Sequence, residues 1–191
     1  MTNRFRLALR RSLKQIRANL SSDYQQIASA QVSKHISTLD EYRYAKNIGL
    51  YKPVKGEIDL RGLWRSASSH GKYCYFPVLN ENNTLSFLPA TPATSFIENR
   101  FGIPEPAVSR DKSIAIGDLD IIFMPLLAFD DRCTRLGMGA GYYDRTLENE
   151  SHPLLIGVAY EFQHMFYIEP QAWDIPLSAV VTPNAIYWSK K

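Results

Sequence analysis

Two nearly continuous apolar runs, residues 119–124 (LDIIFM) and 154–159 (LLIGVA), set the strongest limit on what this chain can fold into. A strand apolar on both faces needs cover on both faces, which a parallel sheet layered with helices provides. Residues 47–52 (NIGLYK) read as a third buried strand ahead of Pro53. Residues 73–79 (YCYFPVL) and 84–88 (TLSFL) flank Asn80-Glu81-Asn82-Asn83 and predict an antiparallel pair, so the sheet is mixed. A helix is expected after Asp59, with Leu60, Leu63, Trp64 and Ala67 inward and Gly71 as its stop. Residues 178–181 and 185–188 predict two closing strands around Pro183, and residues 89–112, with Pro89, Pro92, Pro104 and Pro106, read as a long surface loop. Together these predict an α/β three-layer sandwich with a mixed, mostly parallel sheet. With 191 residues, 45% of them hydrophobic, and no repeat or linker, one domain over 1–191 is expected.

The chain opens with a helical hairpin. Phe5, Leu9, Leu13, Ile16 and Leu20 follow helical spacing and predict an apolar face over about 3–19, beside a basic stripe of Arg6, Arg10, Lys14 and Arg17. Ser21-Ser22-Asp23 supplies cap chemistry for a second helix to about residue 38, with Ile27, Ala28, Ala30 and Ile36 as a weaker apolar face. The same basic, acid-poor opening is how an organelle transit peptide reads, although it runs into the second helix without a visible cleavage boundary.

A net charge of +3, from 22 Lys+Arg against 19 Asp+Glu, does not mark a binder of nucleic acid or anionic membrane. Cys74 and Cys133 form neither a disulfide framework nor a zinc ribbon, and no run of about 18 apolar residues exists. A cytoplasmic protein is expected. His35, His70, His152 and His164 fall in no ligand spacing.

The chemistry concentrates in residues 129–145, FDDRCTRLGMGAGYYDR, shortly after the strand that ends at Met124. Gly137, Gly139 and Gly141 allow positive φ and close backbone approach, so successive amides can form an anion-binding nest, to which a helix starting near Tyr142 would add its N-terminal dipole. Arg135 can pair with a phosphate bidentately, and Asp144 can hold a divalent cation that bridges phosphates. The run matches neither the Gly-Lys-Ser/Thr phosphate loop nor the dinucleotide fingerprint. On its residues alone it also fits a tight strand-to-helix loop, with Asp144 as a first-turn acid and Tyr142 and Tyr143 as core.

Residues 135–145, RLGMGAGYYDR, resemble the signature of the 5-formyltetrahydrofolate cyclo-ligase family, also called 5,10-methenyltetrahydrofolate synthetase. Weaker agreement covers Arg6 and Arg10, Gly56-Glu57, residues 102–106 (GIPEP) and 173–176 (WDIP). The resemblance implies a fold of the sugar-phosphate isomerase and CoA-transferase type. It also implies ATP- and Mg2+-dependent closure of 5-formyltetrahydrofolate to 5,10-methenyltetrahydrofolate, with release of ADP and phosphate. On it, Arg6, Arg10, Arg135, Leu136, Gly137, Met138, Gly139, Ala140, Gly141, Tyr142 and Tyr143 match ATP-binding positions, with Arg10 and Arg135 stabilising the transferred phosphoryl group. Asp144 matches the metal ligand. Glu57 matches a substrate-binding glutamate, whose carboxylate suits the N–H donors of a pterin, and Met138 to Tyr142 also touch folate; Tyr51 and Lys52 are weaker candidates for that pocket.

Lys14 and Arg17 are expected in solvent, and Trp173 and Asp174 in packing roles. Two departures from the family pattern are Cys133, where Gly is usual, and Ala140, where Gly or Lys is usual; Cys133 is read as non-catalytic. A sugar-phosphate or CoA-phosphate site with Glu57 as general base, and a nucleic-acid binder using the basic helix and aromatics, are the competing classes. A monomer acting on small molecules is expected, with neither nucleic acid nor membrane as partner.

Overall fold

The computed structural model describes residues 3–148 and 153–190; His152 lies outside them. A seven-stranded sheet runs in the order β11 (Ile186–Trp188), β10 (Ala179–Val181), β9 (Leu154–Val158), β6 (Ile121–Pro125), β1 (Asn47–Gly49), β2 (Tyr73–Leu79), β3 (Leu85–Pro89). The five inner strands are parallel and both edges antiparallel; the sequence predicts the mostly parallel sheet and the antiparallel pair at the β2–β3 edge, and the structure adds the one at β10–β11. From β1 the chain steps to one side to form β2, then returns to the other side for β6, β9 and β10. The order therefore reverses between β1 and β6, where open α/β sheets leave a crevice at the carboxyl ends of their strands.

Alternation along the strands builds two cores. Ile121, Phe123, Ile156 and Val181 face one cluster, which takes in Ala28, Val32 and Ile36 of α2 (Ser22–Thr38), Tyr42 of α3 (Asp40–Tyr44), and Leu63 and Trp64 of α4 (Arg61–Ala67). Ile122, Met124, Leu155 and Val180 face the other, with Leu147 of α5 (Tyr142–Leu147). These are the three layers.

Several helix ends follow from local chemistry. Ser21 caps α2 by accepting from the Tyr24 N–H, Asp59 accepts from the Arg61 N–H, and Gly71 ends the α4 segment in the left-handed region at φ 67°. The short α3 is held at its end by the buried Lys72 ammonium, which donates to the carbonyls of Tyr42, Arg43 and Ala45.

Three expectations are corrected. Residues 89–112 are not one loop, because β4 (Phe96–Glu98) pairs antiparallel with β5 (Pro104–Pro106) in a hairpin of their own. The inward face of α2 is Ala28, Ser29, Val32 and Ile36, leaving Ile27 and Ala30 exposed. The largest change is in α1 (Asn3–Ala18), where the predicted apolar stripe is half outside: Phe5 is 56% and Ile16 48% exposed. The face turned inward carries Arg6, Arg10, Leu13 and Arg17, and Arg17 is only 1% exposed. Periodicity located the helix, but guanidinium bonding decided its rotation.

Candidate active site

The inward face of α1 lies across the carboxyl ends of the parallel strands. Leu13 packs on Leu127, Ala128, Leu136 and Ile168, which brings the helix over the segment between β6 and α5. That segment first forms a two-residue ladder, β7 (Ala128–Phe129) with β8 (Arg135–Leu136), and then releases the glycine run. Arg10 Nε donates to the Gly137 carbonyl at 3.0 Å, and its guanidinium lies against Gly139. Arg6 is buried, donating to the Glu169 carbonyl at 2.9 Å and lying 3.6 Å from Asp174.

Of the three loop glycines, only Gly139 (φ 101°) and Gly141 (φ 69°) use the left-handed region; Gly137 does not, and neither does Ala140. Alanine is therefore accommodated at 140 without strain. Helix α5 does begin at Tyr142, as expected. The left-handed residue upstream is Cys133 (φ 58°), at the position where glycine is usual, with its thiol buried and directed to the Tyr187 carbonyl. Burial pushes that thiol up to about 11, so the inert reading of Cys133 fits its surroundings.

Arg135 and Asp144 meet across the loop. The Arg135 guanidinium donates to an Asp144 oxygen and to the Ile175 carbonyl, and the same Asp144 oxygen accepts from the Ile175 N–H at 3.2 Å. Asp174, next in the chain, accepts from the Gln171 N–H at 2.9 Å and pairs with Arg6. Asp174 is thus part of the site frame rather than a packing residue. Trp173 is 65% exposed and forms the rim of a cavity of about 250 Å3 with Gly139, Ala140, Gly141, Asp144, Arg145 and Glu148. Its expected packing role is corrected with it.

Across the crevice, residues 53–58 follow β1. Gly56 has φ 76°, and a Cβ there would lie 2.4 Å from the Arg17 carbonyl oxygen, so only glycine lets α1 approach this closely. The approach buries an ion pair that the sequence did not suggest. Arg17 reaches Glu57 at 3.1 Å and also donates to the carbonyls of Lys55 and Leu126. The second Glu57 oxygen accepts from the Val54 N–H at 3.1 Å. Burial raises the Glu57 carboxyl pKa, opposed by Arg17 and by the Val54 N–H. Arg17 is therefore an interior residue, contrary to its expected place in solvent. Lys14 is half-buried, and burial lowers its ammonium pKa, helped by neighbouring Lys55, Arg10 and Arg17.

Tyr143 links the two sides: burial raises its phenol pKa, the Glu57 carboxylate raises it further, and Arg135 opposes. Tyr51 is buried beside Glu57 and donates its hydroxyl to the Ile58 carbonyl at 2.7 Å. Lys52 is half-buried with its ammonium 3.9 Å from the ring centroids of both Trp64 and Phe96. Tyr142 accepts from Arg100 at 3.2 Å and stands edge-on to Phe101. Met138 is exposed at the tip of the loop, and Leu136 is core. The structure thus gathers Arg6, Arg10, Arg135, Asp144 and residues 136–143 on one side of the crevice and Tyr51, Lys52 and Glu57 on the other. His35 and His164 are engaged elsewhere, with the Thr182 carbonyl and Asp131.

Charged groups at the switch point of a parallel sheet, beside two cavities and a glycine loop, define a small-molecule enzyme of the α/β class. The sequence matches the model of the 5-formyltetrahydrofolate cyclo-ligase family over residues 3–183, and the chain belongs to that family. It is 40% identical over 181 residues to the 5-formyltetrahydrofolate cyclo-ligase of Haemophilus influenzae, covering 93% of this chain and 97% of the relative. To the enzyme of the same name from Escherichia coli K12 it is 34% identical over 179 residues, covering 92% and 98%. The NMR structure of Aquifex aeolicus 5,10-methenyltetrahydrofolate synthetase superimposes with a TM-score of 0.85 at 34% identity, over 97% of this chain and 93% of that one. A Mycoplasma pneumoniae 5,10-methenyltetrahydrofolate synthetase shares the fold at a TM-score of 0.75 and 23% identity, over 93% and 98%.

Proposed function

We propose that the chain catalyses the ATP- and Mg2+-dependent closure of 5-formyltetrahydrofolate to 5,10-methenyltetrahydrofolate, releasing ADP and phosphate. The observation that carries this is the placement of a glycine loop, bracketed by Arg135 and Asp144 and touched by Arg10, across a strand crevice from Glu57. The formyl oxygen is a poor leaving group until it is phosphorylated. It attacks the γ-phosphorus of ATP, the bond to ADP breaks, and an imidate-like phosphate forms. Nitrogen 10 then adds to the activated carbon and gives up its proton. The formyl oxygen departs within inorganic phosphate, leaving the methenyl bridge between the two nitrogens.

No side-chain nucleophile is needed for this sequence, so the chain's part is positioning and charge stabilisation. Arg135 has five N–H donors in a fixed fork, more than its bonds to Asp144 and Ile175 use, so it can turn donors toward a phosphoryl oxygen. Arg10 sits on the other side of the loop, and the amides of residues 137–141 lie between them. Arg6 lies behind Arg10, tied to Glu169 and Asp174, and holds the 169–175 segment in place.

Asp144 fits a magnesium ion in its chemistry. It is an oxygen donor with its side chain partly exposed, one oxygen engaged by Arg135 and Ile175, and Mg2+ commonly takes one or two carboxylates with substrate phosphates. Among the described residues no group of three or more His, Cys, Asp or Glu side chains gathers as a metal site. When bound, the ion would neutralise phosphate charge.

Glu57, ionised against Arg17, accepts the amino-pyrimidine N–H groups of the pterin through lone pairs that its two internal bonds leave over. That dual engagement weighs against Glu57 as a general base in a sugar-phosphate reaction. The test is methenyl-folate formation followed by absorbance, with and without ATP and Mg2+. Omission of either is expected to abolish product, and ATP-independent product would overturn the reading.

A further inference from the structure

Residues 102–106 (GIPEP) take part in the family resemblance, yet no step of the proposed reaction uses them. They build the turn and the second strand of the β4–β5 hairpin. Gly102, at φ 70°, closes the turn by donating its N–H to the Asn99 carbonyl at 2.9 Å, and the Asn99 N–H donates to the Ile103 carbonyl at 3.0 Å. The Asn99 side-chain oxygen accepts from the N–H groups of Phe101 and Ile103, and its amide donates to Glu105 at 2.7 Å. The same Glu105 oxygen accepts from the Leu79 N–H at 2.9 Å, which ties the turn to the end of β2. At the base of the hairpin, Phe96 packs edge to face on Trp64 and Phe76.

A turn bonded this fully holds its tip residues, Arg100 and Phe101, in fixed places, although both are exposed. They meet one side chain, Tyr142. Arg100 donates to the Tyr142 hydroxyl at 3.2 Å, and the Phe101 ring stands edge-on to the phenol at 6.5 Å. The β2–β3 turn holds the same residue a second time: Asn83 accepts from the hydroxyl at 3.4 Å and, through its carbonyl, from Arg145 Nε at 3.0 Å. Thr146 completes the frame, donating to the Tyr142 carbonyl at 2.7 Å and accepting from the Leu85 N–H at 2.8 Å.

Tyr142 is the first residue of α5 and follows Gly141 directly, so whatever fixes its ring fixes where the glycine loop ends. The loop holds itself poorly there, since Gly139 and Gly141 have no side chain to pack and Ala140 is exposed. We propose that Arg100, with Phe101 beside it, is a positioning residue of the nucleotide site: the hairpin tip clamps Tyr142 and through it sets the exit of the glycine loop. The inference rests on the reading of that loop as the ATP site and adds to it an element from outside the loop. A cradle of amides depends on such support, because a misplacement of about 1 Å can cost about a hundredfold in rate.

Arg100→Met keeps an apolar stem beside the Phe101 ring, removes the donor and, at an exposed tip, leaves the core untouched. KM for ATP is expected to rise about fivefold with kcat within about twofold, a shift worth about 1 kcal/mol, the net value of one hydrogen bond. The decisive comparison is the Tyr142→Phe background, where no hydroxyl remains to be clamped. There Arg100→Met is expected to change KM for ATP less than about twofold. An equal change in both backgrounds, or none in either, overturns the clamp and leaves the reaction standing.

If the wild-type chain forms no methenyl-folate, the reaction itself falls, and the clamp is read without substrates. The Arg145 N–H donates to the Gly141 carbonyl at 3.1 Å and so closes the first turn of α5 on the end of the loop. Its hydrogen exchange, followed by NMR, is expected to speed up about fivefold in Arg100→Met. Exchange at the wild-type rate overturns the proposal.

Discussion

Two arginine–carboxylate pairs face each other across the crevice, and they differ in how far the carboxylate is sealed from water. Arg17 and Glu57 are both buried, and their bonds close on backbone groups from two segments, at Val54 and Lys55 and at Leu126. Arg135 is buried as well, but its partner Asp144 lines an open cavity and is partly exposed. A pair sealed from water is expensive to break, because the survivor is left as a bare buried charge. A carboxylate at a cavity edge loses its cation at smaller cost, since water and ligand can take the cation's place on its oxygens. The contrast teaches that one pair fastens the N-terminal helix while the other leaves a carboxylate open at the glycine loop, where the proposed reaction would use it.

The strongest way to break that contrast is Arg17→Met. It leaves Glu57 buried without its cation, and the expected loss is about 3–5 kcal/mol. For a chain of this size that lowers the melting temperature by roughly 6–20 °C. Thermal unfolding checks it. The Arg17→Met/Glu57→Gln double variant should recover part of the loss, and no recovery would mean that Arg17 acts through its carbonyl bonds alone.

Arg135→Ala tests the other pair and should reverse the balance of effects. We expect kcat to fall about 10²–10³-fold, as when one donor to a developing oxyanion is removed. Melting temperature should move less than in Arg17→Met, because Asp144 keeps access to water and to the Ile175 N–H. A larger stability loss than in Arg17→Met, with turnover intact, would make the two pairs alike.

How far the sequence foretold these two sides follows from the range of the interactions. The glycine loop, Arg135 and Asp144 lie within ten residues, and the strand before them and helix after them were legible as local patterns. Arg17 and Glu57 are forty residues apart, and nothing in the spacing of α1 shows that a basic stripe turns inward. Apolar periodicity assumes that burial follows hydrophobicity, and here the guanidiniums of Arg6 and Arg17 find carbonyls and carboxylates enough to be buried instead, with Arg10 half-buried between them. The one local hint was Gly56, required by close backbone approach. The β4–β5 hairpin was missed for a related reason: a proline-rich stretch with little alternation pairs through backbone bonds that leave no periodic trace.

A gentler probe of the buried pair is pH. The native Glu57 carboxyl pKa is raised above its ordinary 4.5, mainly by burial, so the folded chain holds that proton more tightly than the unfolded chain does. Stability from this group is therefore full below 4.5 and declines as pH rises from there through the native value. Glu57→Gln should remove that decline, seen as a flatter difference curve in urea unfolding from pH 4 upward. An unchanged slope would place the titration elsewhere.

The smallest effect is expected upstream of the loop, at Cys133→Gly. Glycine would relieve a left-handed backbone at φ 58° that costs a side chain about 1–2 kcal/mol, and would give up a buried thiol of similar worth. The two terms oppose, so net stability should change by less than about 1 kcal/mol and kcat not at all. Urea unfolding and turnover together check this. A large drop in kcat would mean that the thiol helps set the shape of the 133–141 segment, and would move part of the glycine loop's rigidity from Arg135 to the turn that precedes it.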